Sequence, residues 1–161
     1  MAPIFAAALL ALALAAEPGG AGDIPDTQAF VTFAGPGYSV LVPEGWSRTS
    51  HGAVVTFRSN ANAEAVAPVA GPNADAVLRA RFGAQSPIAR RRVTLGGRPV
   101  TVASFVSTGA ADAVTGKRLR LANQGYAFER DGRRMLLVLS APAGADNADQ
   151  WAKIAGSFRW R

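Results

Sequence analysis

Two dipeptides, Gly96-Gly97 and Asp131-Gly132, constrain this chain more than any other feature. Each joins two long β-prone runs: IARRRVTL (88–95) to RPVTVASFVST (98–108), and KRLRLANQGYAFER (117–130) to RRMLLVLSAP (133–142). Glycine accepts positive φ at no steric cost, and Asp-Gly between two such runs is the strongest hairpin signal in the chain. The C-terminal half is therefore expected to be antiparallel sheet. Leu136, Leu137, Val138 and Leu139 place apolar groups on both faces of the last run, which predicts a central strand covered on each side.

The rest of the chain supplies further strands and two helices. TQAFVTFAG (27–35) reads as a strand closed by Gly35-Pro36-Gly37, and Tyr38 to Val42 as a second, ended by Pro43-Glu44-Gly45 because proline cannot donate to a ladder. A third strand, AVVTFRS (53–59), follows the polar stretch SRTSHG. The segment Ala63 to Val69 contains Pro68 and reads as an edge strand or a loop. Asn73 is the expected N-cap of a helix from Ala74 to Phe82 that buries Val77, Leu78 and Phe82 and stops at Gly83. A second helix is expected from Ala148 to Ser157, capped by Asp146 or Asn147. In it Trp151, Ile154, Ala155 and Phe158 fall at i, i+3, i+4 and i+7, a face that must be buried against the sheet. Strands in runs with helices inserted separately predict an α+β fold, an antiparallel sheet of about six to seven strands flanked by helices. Trp46, directly after the Pro43–Gly45 turn, is expected to pack across the end of the sheet, and Trp151 and Phe158 to anchor the last helix.

GYSVLVPEGW (37–46), followed by a short strand ending in FRS, resembles the opening of the PsbP-like superfamily, which includes the photosystem oxygen-evolving subunit P and the Ran-binding Mog proteins. The ending YAFERDGRRMLLVLSAPAGADNADQWAKIAGSFRW is similar to the closing hairpin and helix of its secreted bacterial members. The resemblance brackets residues 27 to 160, with 60 to 116 unmatched in detail. It implies an α/β/α sandwich, and a non-catalytic accessory, chaperone or partner-binding role.

Export is expected from the N-terminus. Pro3 to Ala16 is an apolar run of fourteen residues, short of the ~20 that span a bilayer but suited to a secretory leader. Ala13 and Ala15 offer a cleavage site after Ala15 or Ala16. The reading is a leader over 1–16, a flexible linker over 17–26 and one globular domain over 27–161. With no cysteine the chain has no disulfide, thiolate metal site or cysteine-linked lipid anchor. Extracytoplasmic localisation follows, in the periplasm or cell envelope.

Charge is the most unusual chemical property. The formal net charge is +6, and fifteen of the seventeen basic residues are arginine. Between Arg79 and Arg134 there are twelve basic residues against three acids. Alternation puts Arg90 and Arg92 on one face of their strand and Arg118 and Arg120 on one face of theirs. If the two faces coincide, with Arg133 and Arg134 nearby, the sheet carries a patch that grips phosphate or carboxylate groups bidentately; otherwise these are solvated strand positions. No recognition helix, aromatic RNA motif or zinc-finger spacing accompanies the charge, so nucleic acid is not expected. The expected partner is an envelope protein; the alternative is an anionic polymer or lipid headgroups, with peripheral membrane association.

Catalysis is not expected. His51 is the only histidine, flanked by Ser50 and Gly52 in what reads as an exposed loop, and no G-x-S-x-G elbow presents a serine. Glu44, Glu64, Asp75, Asp112, Glu129 and Asp131 form no recognisable carboxylate pair. Asp146, Asn147 and Asp149 lack the glycine and distal glutamate of a calcium loop. Neither a metal nor a cofactor is implied.

Overall fold

The computed structural model describes residues 22–82, 88–111 and 113–161. The expected leader, the Gly83 helix stop and Asp112 lie outside these residues. Among the described residues ten strands and two helices follow in the order β1 (Phe30–Gly35), β2 (Tyr38–Pro43), β3 (Ser47–His51), β4 (Val54–Ser59), β5 (Asn62–Pro68), α1 (Ala74–Phe82), β6 (Ile88–Leu95), β7 (Arg98–Ala111), β8 (Arg118–Arg130), β9 (Arg133–Pro142), α2 (Ala148–Gly156) and β10 (Arg159–Trp160). The molecule is mostly antiparallel β-structure. A seven-stranded sheet runs β3-β4-β5-β9-β8-β7-β6, and a three-stranded sheet runs β1-β2-β10.

The two hairpins form where the dipeptides place them. Gly96 and Gly97 adopt φ of 56° and 77°, Asp131 and Gly132 of 51° and 75°, the pair of positive values that a two-residue turn matched to strand twist requires. Register then follows: Leu95 pairs with Arg98, and Arg130 with Arg133. β9 lies between β5 and β8, and its residues Met135 to Ala141 are all buried, as the apolar run predicts.

Each face of the large sheet has its own cover. On one, Leu78 and Phe82 of α1 pack on Ala103, Phe105, Ala127, Leu136 and Val138. Phe82 stacks on Phe105 with ring centroids 4.5 Å apart. It lies so close to β8 that a Cβ on Gly125 would stand 2.6 Å from the ring. On the other face the three-stranded sheet and α2 together build the larger core, with Tyr38, Val40, Val42, Trp151, Ile154 and Phe158 against Val66, Tyr126, Phe128, Leu137 and Leu139. Phe158 joins the layers, stacking on Phe128 at 4.0 Å and on Tyr38 at 5.9 Å.

Four expectations are corrected. The polar stretch after Trp46 is not a loop: it forms β3, an edge strand whose five residues are all exposed, and His51 is its last residue. The segment with Pro68 is neither edge nor loop. β5 is flanked by β4 and β9 and buried from Asn62 to Ala67. Pro68 is tolerated because it is the final residue, and the ladder is taken up beyond it by the Val69 N–H, which donates to Arg134 O at 3.1 Å. Asn147 stands at the N-terminus of α2 but its side chain does not cap the helix. Instead its Oδ1 accepts from the Ile24 N–H at 2.6 Å while its Nδ2 donates to Gly22 O at 2.9 Å. Residues 22–26, expected in a flexible linker, are thereby fixed: Ile24 is buried in the main core, and Asp26 accepts from Gln150 Nε2 at 2.8 Å.

Trp46 is half-buried against the main core at the end of β2, and Trp151 and Phe158 are buried within it. Asn73 caps α1 as expected, its Oδ1 accepting from the Ala76 N–H at 2.9 Å.

Candidate functional site

Ladder register decides what the arginines can do together. Arg92 pairs with Thr101 of β7, and Arg120 with Thr108 of the same strand. Those positions differ by seven, an odd number, so the side chains leave opposite faces of the sheet, roughly 23 Å apart along β7. Arg90 shares the α1 face with Arg92, and Arg118 alternates with Arg120 on the α2 face. The four expected partners therefore do not form one patch.

On the α1 face Arg79, Arg90 and Arg134 lie beside carboxylates or carbonyls. Arg134 is largely buried, donates from Nε and Nη2 to the Glu129 carboxylate at 3.1 and 2.9 Å, and reaches Pro72 O at 2.7 Å. Glu129 also accepts the Ala74 N–H of α1 at 3.2 Å, so the helix terminus already has its anion. Asp75 pairs with Arg79 and lies 3.8 Å from Arg90. A groove of about 500 Å³ runs past Asp75, Arg90, Arg92 and Glu129, and its charges are mixed.

The α2 face ends differently. Arg133 follows the Asp131-Gly132 turn and projects over Trp160 of β10, its guanidinium carbon 4.9 Å from the ring centroid, a geometry that attracts cation to ring. Trp160 meets Phe158 edge-on at 5.4 Å and is half-exposed. Gly37, with φ of 79°, makes room: a Cβ there would stand 3.2 Å from Arg133 Nη1. Arg130 lies directly across the ladder from Arg133, and Asp131 stands 3.4 Å from it. Arg159 donates to Gly156 O and Phe158 O at 2.8 and 2.7 Å, at the carbonyl end of α2, and its guanidinium lies against Gly96. Beside it Arg98 and Trp160 line a narrow cleft of about 100 Å³. Glu129 borders the cleft too, already paired with Arg134. Among the described residues, Arg98, Arg133 and Arg159 have no carboxylate within ion-pair distance.

This end of the molecule, where Arg133 lies over the Trp160 indole and Arg98 and Arg159 line the adjoining cleft, is the candidate site. Of the six arginines expected from sequence it contains Arg133 alone. The sequence does not announce it because Arg98, Arg133 and Trp160 stand far apart along the chain; the one local signal is an aromatic between two arginines in Arg159-Trp160-Arg161.

No catalytic constellation accompanies it. His51 is exposed on β3, and no cluster of three metal-ligating side chains occurs among the described residues.

No protein-family model matches the chain, and no curated relative does. The fold is similar to that of a solved protein from Bacteroides thetaiotaomicron VPI-5482, with a TM-score of 0.57 and 12% sequence identity over 81% of this chain and 48% of that one. This chain thus spans about half the length of that protein.

Proposed function

We propose that this chain is an exported, non-catalytic interaction module of the cell envelope whose Trp160, with Arg133 over its ring and Arg98 and Arg159 beside it, docks an acidic segment of a partner protein. The observation that carries the reading is the Arg133 guanidinium over Trp160 beside Arg98 and Arg159, three arginines that among the described residues have no carboxylate within ion-pair distance. Arginine and tryptophan are the side chains most often found at the energetic centre of protein interfaces, where a rigid aromatic supplies area and arginine supplies directed donors. A cover of helix and small sheet on one face and of a helix on the other supports a PsbP-like sandwich as the finer description, consistent with the resemblance at residues 37–46 and 126–160. The apolar run over Pro3–Ala16 supports export.

The test is capture from an envelope extract by the immobilised full chain at low and at high salt, beside Trp160→Ala. Retention of one protein at both salts, somewhat weakened at high salt and lost with Trp160→Ala, is expected, because the arginine contacts are screened by ions whereas the apolar area of the indole is not. If only anionic polymer or lipid is held and salt strips it away, the chain is instead an envelope anion binder and the docking reading fails.

A further inference from the structure

Among the described residues one acid lies inside the molecule. Glu64 is in the middle of β5, opposite Phe57 of β4 and Leu139 of β9, with Asn62 and Val66 on either side of it along its face. That face looks toward the three-stranded sheet, since Val66, Phe57 and Leu139 all belong to the core shared with Tyr38, Val40 and Val42. Glu64 is wholly buried. Neither of its carboxyl oxygens has a hydrogen-bond partner among the described residues, nor does the buried hydroxyl of Tyr38 from β2.

A carboxylate stripped of water and given no donor is so costly that it holds a proton instead. Burial accordingly pushes Glu64 well above the ordinary carboxylate range. The Tyr38 hydroxyl is also raised, chiefly by burial, with Arg48 opposing and Glu64 adding to the effect. Few charged or titratable groups are placed to compensate. β2 contributes Tyr38. The edge strand β3 contributes Arg48, whose guanidinium is over Phe33 at 4.7 Å. Arg58 of β4 alternates to the other face, and the flanking β9 positions on this face, Leu137 and Leu139, are apolar. β1 has no ionisable side chain, and Lys153 of α2 sits over Phe30.

We propose that Glu64 is a proton-dependent latch between the two sheets: carrying its proton, it lets β1-β2-β10 close on the seven-stranded sheet, and losing it loosens that layer. The latch does not depend on what Trp160 binds. Its direction follows from linkage. The unfolded chain gives up the Glu64 proton near the ordinary value of 4.5, whereas the folded chain keeps it to higher pH. The contribution to stability is fully present below that value and declines as pH rises, by about tenfold in the folding equilibrium per pH unit, until the buried carboxyl itself ionises.

The experiment measures urea unfolding of the full chain from pH 4 to 9 for wild type, Glu64→Gln and Tyr38→Phe, together with amide exchange in β2 and β8, corrected for intrinsic base catalysis. The expected result is a wild-type decline that Glu64→Gln abolishes and Tyr38→Phe retains, with β2 amides opening at a lower pH than β8 amides. The latch is overturned if wild type and Glu64→Gln share one pH slope, or if β2 and β8 open together. Should Glu64→Gln fail to fold, a carboxyl-carbon titration of the wild type decides: a core glutamate still protonated at neutral pH sustains the latch, and one titrating near the ordinary value ends it.

Discussion

The two faces of the seven-stranded sheet use arginine in opposite ways, although both draw it from the same hairpin. Arg134 points to the α1 face and is bound by Glu129 and Pro72, so its charge holds a helix terminus to a strand. Arg133, one residue earlier, points to the α2 face and lies on Trp160 with no carboxylate beside it among the described residues. A single step along a strand separates a structural ion pair from a group available to a partner. Counting charges in a segment therefore says little about function until the register is known.

Four substitutions sharpen this contrast. The largest effect belongs to the α2 face, where packing does the holding. Leu137 is wholly buried in the larger core, so Leu137→Ala is expected to cost about 2–5 kcal/mol, measured by urea unfolding. A cost well under that range would mean the two layers collapse onto the gap. Next comes the amide that ties residues 22–26 to the last helix. Asn147→Ala leaves the Ile24 N–H, Gly22 O and Asn62 Oδ1 without this partner. About 2–3 kcal/mol of lost stability is expected from such buried groups, with proteolytic cleavage appearing ahead of β1. The smallest is the direct comparison of neighbours. Arg134→Ala should lower stability by about 1 kcal/mol, because a partly exposed bidentate pair at a helix terminus is broken. Arg133→Ala should leave stability unchanged and weaken partner capture. Equal effects on stability would erase the distinction between the faces.

Much of the architecture was legible because its punctuation is local. Gly96-Gly97 and Asp131-Gly132 fix two hairpins through backbone angles alone, and Asn73 with Val77, Leu78 and Phe82 fixes a helix at its expected bounds. What sequence could not supply depends on distant partners. β3 is exposed at every position, so no alternation of apolar and polar residues announces it. β5 hides its central place behind alanines, a proline and a glutamate, residues depleted in strands. Asn147 reads as a cap until Gly22 and Ile24 arrive from the other end of the chain. The candidate site was missed for the same reason: Arg98, Arg133 and Trp160 lie on three different strands, and only the pairing of β10 with β2 brings the last of them to the first two.

The three consecutive arginines of β6 gain a meaning from where that strand lies. β6 is one of the two outermost strands of the seven-stranded sheet, and no strand among the described residues pairs with its outer side. Such a rim is a template on which a second copy could add a strand and begin aggregation. With Arg90, Arg91 and Arg92 alternating across both faces, an antiparallel alignment of two such rims centred on Arg91 brings guanidinium groups together and repels. The arginine run thus disfavours that pairing at this edge.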